Sequence, residues 1–200
     1  MLITETAVRD AYRIQPEPIP DQRGRFYEAL RHESLRAATG HAFEVRQVNF
    51  TVSHRNVLRG IHGTTLPPGQ GKIVTCVRGA ALTMVVDIRV GSPTFGHHDV
   101  VRQDPHSATA VYLPDGMGLA YVALADDTCM NYLCTQEYVH GTIIDVDALD
   151  PALGLPWNLS EPPIRSARDA AAPSLAEAVG LLPTYEDCLR AYHADPSVND

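Results

Sequence analysis

The sequence predicts a mostly β protein, a sandwich or barrel of short strands. Between about Val45 and Leu133, apolar β-branched stretches recur, separated by glycine, proline or aspartate, the rhythm of an all-β body. Several stretches alternate, as Ile73, Thr75 and Val77 do against Val74 and Cys76, and period two marks a strand. With 44% hydrophobic and 20% charged residues, the 200-residue chain has material for one real core.

The strands expected are Val57 to Ile61, Ile73 to Val77, Ala81 to Val90, Ala110 to Leu113, Leu119 to Leu124 and Thr128 to Leu133. Arg78-Gly79-Ala80 supplies a tight hairpin turn. Met84, Val86 and Ile88 alternate with Val85, Asp87 and Arg89, which implies a strand packed on one side. A helix is expected over Glu33 to Thr39, with Gly40 past its end. Ser174 and Glu177 form a capping box for a second helix, and a third covers Tyr185 to Tyr192. Prolines 151, 156, 162 and 163 make 150–163 a crossing strap between the β body, about 1–150, and a helical segment, about 170–193. All of 1–200 is taken as one domain, with ADPSVND a frayed end.

A formal charge of -8, from 24 acidic against 16 basic residues, argues against nucleic acid or an anionic membrane as partner. An anionic small molecule needs only a local basic cluster. Cys76, Cys129, Cys134 and Cys188 form no C-x-x-C pair and no zinc spacing, so reduced thiols in a cytoplasm are expected. No secretory leader is expected at the start, and no run reaches the roughly 18 apolar residues of a membrane helix.

The densest chemistry lies in Arg59-Gly60-Ile61-His62-Gly63 and the loop to Lys72, the one lysine of the chain. Neighbouring barrel strands can aim a histidine that titrates near neutrality and a lysine point charge into one lumen. Asp87 reads as a turn residue or a partner for Arg89. His97 and His98 point to opposite faces of a strand, and position 64 is Thr where a paired-histidine metal pattern needs His, so no metal is expected. Tyr112, Tyr121, Tyr132 and Tyr138 are each able to donate a proton, and nothing in their spacing selects one. Asp169 can orient a histidine or pair with Arg168.

The segments RGIHGTTLPPGQGK, VRGAALTMVVDIRVGSPTFG, YLPDGMGLAYVAL and LDPALGLPW with SARD resemble the dTDP-4-dehydrorhamnose 3,5-epimerases, the RmlC-type cupins. The likeness runs from Asp21-Gln22-Arg23-Gly24 to at least Pro183. It implies a metal-free, cofactor-free cupin jelly roll, a homodimer with strands exchanged near the N-terminus, and a dTDP-linked 4-keto-6-deoxyhexose in the lumen. By the same resemblance His62 is the general base, Asp169 its orienter, Tyr132 the proton donor and Lys72 the neighbour of the ketone oxygen. Arg23, Phe26, Glu28, Gln47, Asn49, Arg59, Tyr138 and Arg168 are the substrate contacts, Arg23 from the partner subunit.

The chain leaves the family pattern at three positions, with Gly63 for a tyrosine, Leu119 for a second histidine and Ile143 for a glutamate. These imply a changed grip on the sugar, so the expected activity is epimerisation at C3, with C5 left open, in an antibiotic deoxysugar pathway. The alternatives are a cupin that binds the nucleotide sugar without turning it over and a 3,4-ketoisomerase.

Overall fold

Short alternating strands can bury one face only by pairing sheets. The computed structural model, which describes residues 1–193, has two. Thirteen strands carry it: β1 Leu2–Glu5, β2 Tyr12–Gln15, β3 Ile19–Asp21, β4 Gly24–Phe26, β5 Gln47–Ser53, β6 Leu58–Thr64, β7 Lys72–Arg78, β8 Ala81–Val86, β9 His98–Gln103, β10 Ala110–Leu113, β11 Gly118–Ala123, β12 Thr128–Cys134 and β13 Ile143–Asp145. The larger sheet runs β1-β2-β10-β7-β12-β5 and the smaller β13-β6-β11-β8-β9, while β3 and β4 form a separate hairpin. All named strand pairs are antiparallel.

Three apolar layers follow from the alternation. Val74, Val85, Val111, Leu119, Tyr121 and Met130 pack together between the sheets. Behind the smaller sheet, Ile61, Val86, Ile88, Val122 and Ile144 meet the strap through Leu153 and Trp157 and the C-terminal segment through Leu175 and Leu182. Behind the larger sheet, Ile14, Ile73 and Tyr112 are covered by Leu35 of α1, His32–Thr39, and by Phe43. Gly40 ends α1 with φ 77°, in the left-handed region expected of it. The remaining helices are α2 Ala167–Ala170, α3 Leu175–Ala178 and α4 Tyr185–His193. Ser174 and Glu177 close their capping box on α3, which lasts one turn before a 3₁₀ turn at Val179–Leu181. The tail expected over 194–200 lies outside the described residues.

Two expectations are corrected at the end of β8. The strand stops at Val86 rather than Val90, and its partner side is not solvated: Asp87 and Arg89 are both fully buried. A buried ion pair persists only when its other bonding groups are also satisfied. Arg89 donates through Nε and Nη2 to the two Asp87 oxygens at 3.0 and 2.9 Å, and through Nη1 to Asp10 Oδ2 at 2.9 Å. The hydroxyls of Ser92 and Thr94 also donate to Asp87 Oδ2, at 2.6 and 2.7 Å. Burial works to raise the Asp87 pKa, but Arg89 and the hydroxyls outweigh it and hold the carboxyl below its ordinary range. Asp87 is thus a structural partner of Arg89, the use its turn position suggested.

A group with a depressed folded pKa contributes stability above its unfolded value and loses it as pH falls through the folded one. Arg89→Met therefore costs about 3–5 kcal/mol at neutral pH, because it leaves Asp87 charged and unpaired. In denaturant titrations the deficit against the parent narrows as the pH falls, because burial without Arg89 makes the stranded carboxyl take up its proton at a higher pH than the paired one.

Candidate active site

His62 owes its direction to the local geometry of β6. Gly60 has φ 102°, and a Cβ there would stand 2.4 Å from the Leu119 carbonyl oxygen. Glycine alone tolerates both conditions, and the β6–β11 register shifts at this point. Ile61 then enters the layer behind the sheet, and His62 faces the lumen opposite Leu119 on β11 and Asp145 on β13.

Asp169 reaches the same place from α2. Ser166 caps that turn by accepting from the Asp169 N–H at 3.0 Å, and its hydroxyl donates to Asp169 Oδ2 at 2.8 Å. The other carboxyl oxygen meets His62 Nε2 at 2.6 Å. Burial pushes the Asp169 pKa up, but the bonds from His62, Ser166 and the Gly60 N–H prevail and keep it below the usual carboxylate range. An anionic, fixed Asp169 sets the ring's tautomer, with Nε2 carrying the hydrogen. Among the described residues Nδ1 takes no hydrogen bond, so it is the nitrogen left open to accept a proton.

The other two expected reacting groups come from the larger sheet. Lys72 opens β7, and its Nζ spans the lumen to Thr64 Oγ1 on β6 at 3.4 Å and to the Gln70 carbonyl at 3.2 Å. Burial draws its pKa below the ordinary lysine value, with Cys134 and Asp115 opposing. Tyr132 on β12 packs against the inter-sheet layer, and burial pushes its phenol far above its ordinary pKa. Tyr121 adds to that shift while a hydrogen bond from Thr51 opposes it. Tyr121 Oη bonds Thr51 and Ser53 at 2.8 and 2.9 Å, and Arg59 Nε donates to Ser53 at 3.1 Å. A protonated phenol therefore stands on a hydroxyl network with a guanidinium at its end.

Gln47 and Asn49 sit on β5 at the edge of the larger sheet, joined by a 2.9 Å bond from Gln47 Nε2, and the Tyr138 N–H donates to Gln47 Oε1 at 2.6 Å. Arg168 does not pair with Asp169. It donates through Nε to Asp145 Oδ2 at 2.7 Å. Arg23, Phe26 and Glu28 belong to the β3–β4 hairpin and its exit, where Arg23 holds Asp21 and Phe26 and Glu28 line an outer groove. Within one chain they are not brought to His62.

Asp145 was missed by the sequence reading. No motif marks it, because its place depends on the pairing of β13 with β6. Ser166 was missed too, although its three-residue spacing from Asp169 is the capping signature recognised at Ser174. His62, Asp145 and Asp169 turn their ligand-type atoms to within 4.8 Å of one another. Of these, His62 Nε2 is bonded to Asp169 Oδ1, Asp169 Oδ2 accepts from Ser166, and Asp145 Oδ2 accepts from Arg168.

Of the three departures, one is corrected by the structure. Gly63 points away from the lumen, and a Cβ there would come 2.5 Å from Ile88 Cδ1. The space a side chain at Gly63 would take is filled from behind by Ile88. Leu119 does face the lumen beside His62. Ile143 stands across from Thr64, two residues from Asp145 on the same face of β13.

Residues 5–177 match the family model described as dTDP-4-dehydrorhamnose 3,5-epimerase. A dTDP-4-dehydro-6-deoxyglucose 3-epimerase of Streptomyces bikiniensis is 49% identical over 90% of this chain and 93% of its own. A dTDP-4-dehydrorhamnose 3,5-epimerase of Mycolicibacterium smegmatis is 44% identical over 94% of each. Among solved structures, the Mycobacterium tuberculosis epimerase superposes with a TM-score of 0.93 at 42% identity, covering 96% of this chain and 98% of its own. A 3'-monoepimerase of Streptomyces bikiniensis, solved as a histidine-to-asparagine, tyrosine-to-phenylalanine double mutant with dTDP, gives 0.91 at 46%, covering 95% and 96%. These neighbours establish the expected cupin jelly roll. Among the described residues no helix is long and apolar enough to cross a membrane.

The contact between Gly63 and Ile88 is open to a double-mutant cycle. Gly63→Tyr alone lowers stability by about 1–3 kcal/mol through overpacking. Combined with Ile88→Ala, the loss in thermal unfolding is smaller than the sum of the two single losses, as expected for side chains competing for one space.

Proposed function

The chain belongs to the dTDP-4-dehydrorhamnose 3,5-epimerase family, and we propose that it inverts C3 of dTDP-4-keto-6-deoxyglucose in antibiotic deoxysugar biosynthesis. The observation that carries this reading is the placement of His62 and Tyr132 on facing sheets, β6 and β12. A sugar ring lying between them meets a base on one face and an acid on the other. His62 and Tyr132 are also as far apart in sequence as the histidine and tyrosine substituted in the solved monoepimerase.

The C4 ketone acidifies the C3 proton through an enolate. His62 takes that proton at Nδ1, and Asp169 stabilises the imidazolium that forms. The electron pair moves into the C3–C4 bond and the carbonyl oxygen becomes anionic, opposite the Lys72 ammonium. The pair then returns to C3, which takes a proton from Tyr132 on the other face. Tyr132 recovers its proton through the network of Tyr121, Thr51 and Ser53, with Arg59 steadying the phenolate, and His62 releases its own to water.

Selectivity for C3 rests on Leu119. It stands directly across from His62 and offers no hydrogen bond to hold the ring in a second orientation. For the nucleotide, Gln47 is suited to the amide edge of thymine, Phe26 or Tyr138 to its ring, and Arg23, Arg59 and Arg168 to the diphosphate. Asn49 and Glu28 complete the contact set. Arg23, Phe26 and Glu28 join it only from a second copy, so the working unit is a homodimer. Support comes from β5, an edge strand whose outer residues Val48, Phe50 and Val52 are apolar and 50–62% exposed. The β body, the strap and the helical segment act as one domain, since α2 beyond the strap supplies Asp169 to β6. The cytoplasm is the fitting compartment for four free cysteines.

The test is proton NMR of dTDP-4-keto-6-deoxyglucose in D₂O. Deuterium enters at C3, and His62→Asn slows the exchange by at least about 10³-fold. Tyr132→Phe keeps washout at C3 while formation of the epimer falls. Entry at C5 as well would restore the 3,5-activity. Ligand binding with no exchange would leave a binding protein, and migration of the ketone would identify an isomerase. In sedimentation equilibrium the parent runs at twice the chain mass, and Phe50→Glu shifts it to monomer with loss of turnover.

A further inference from the structure

We propose that Asp145 is a positioning residue for His62, a second carboxylate that holds the imidazole from β13 while Asp169 holds it from α2. The proposal rests on His62 being the base and extends that reading to a residue outside the set carried by the family resemblance.

The geometry is asymmetric across the Asp145 carboxyl. Oδ2 accepts from Arg168 Nε at 2.7 Å. Oδ1 is buried without a hydrogen-bond partner and lies 3.7 Å from His62 Nε2. A buried carboxylate oxygen left unsatisfied is costly and calls for a use. The backbone register makes the approach reproducible, because Asp145 and His62 are direct cross-strand partners.

The charged groups facing His62 can be named element by element. From α2 come Asp169 and, through Asp145, Arg168; from β13 comes Asp145; from β11 comes the uncharged Leu119. Lys72 reaches Thr64, two residues along β6. When His62 takes the substrate proton, its new positive charge has two carboxylates at Nε2, and a charge within about 4–6 Å favours the protonated ring. Arg168 competes for Asp145. As Arg168 turns to the diphosphate of an arriving nucleotide, Asp145 is released toward His62, so binding at one end of the substrate strengthens the base at the other.

The experiment follows C3 washout in D₂O from about pH 5 to 9, in parallel with the imidazole nitrogen shifts of His62. Asp145→Asn keeps an acceptor for Arg168 and removes the charge. It lowers kcat about tenfold with KM nearly unchanged, and the acidic limb of kcat/KM and the His62 titration both move down by about one pH unit. Arg168→Gln moves both in the opposite direction and raises KM. An Asp145→Asn profile and nitrogen titration that coincide with the parent's overturn the proposal, as does a loss confined to KM, which would make Asp145 an anchor for Arg168 alone. The nitrogen titration decides even where a variant is inactive. Washout that survives His62→Asn would instead refute His62 as the base, a separate failure.

Discussion

The hydrogen bond between His62 and Asp169 is the constraint to which the rest of the site answers. Its partners are 107 residues apart, and one of them lies on a helical turn of four residues. Such a turn cannot hold itself in place. The strap does so: Trp157 Nε1 donates to the Ala148 carbonyl at 2.7 Å, and Asp150 accepts from the N–H groups of Ala152 and Leu175, both at 2.9 Å. These bonds fix both sides of the Ser166–Asp169 turn, so the proline-rich crossing and the core behind the smaller sheet serve the orientation of one imidazole.

The lumen is divided by the same alternation that builds the sheets. Val74, Leu119, Tyr121 and Met130 seal its interior, and the polar groups lie toward the open side on β5, β6 and β12. The apolar floor is what shifts the reacting groups. Burial lowers the Lys72 pKa and raises that of the Tyr132 phenol, and it makes each remaining charge act strongly on its neighbours. In the proposed reaction Tyr132 needs the means to recover its proton, and the hydroxyls of Thr51, Ser53 and Tyr121 offer a path through the apolar surroundings.

Much of this was legible in the sequence because it depends on local chemistry. Short apolar runs bounded by glycine, proline or aspartate located β7, β10, β11 and β12 to within a residue or so, Gly40 marked the end of α1, and Ser174 with Glu177 marked the start of α3. What was not legible depends on which strands become neighbours. Asp87 and Arg89 alternate like a solvated face, yet the segment around Asp10 and the turn at Ser92 and Thr94 bury them together. Gly63 looks like a change beside the base, but the pleat turns it to the opposite face, where Ile88 occupies the space. Asp145 has no local signature at all, since its importance arises from the register of a three-residue strand.

The same physical logic connects the site to the outer surface. Along β5, Gln47, Asn49, Thr51 and Ser53 turn inward and Val48, Phe50 and Val52 turn outward, the reverse of the ordinary pattern for a strand at a sheet edge. Inward polarity suits the proposed reading, in which this strand supplies both the nucleotide rim and the hydroxyl path behind Tyr132. Outward apolarity is a liability in a lone chain and an asset against a second copy, which would also return the β3–β4 hairpin, with Arg23 and Phe26, to a lumen. In the proposed reading a single strand thus ties proton traffic, nucleotide recognition and association together.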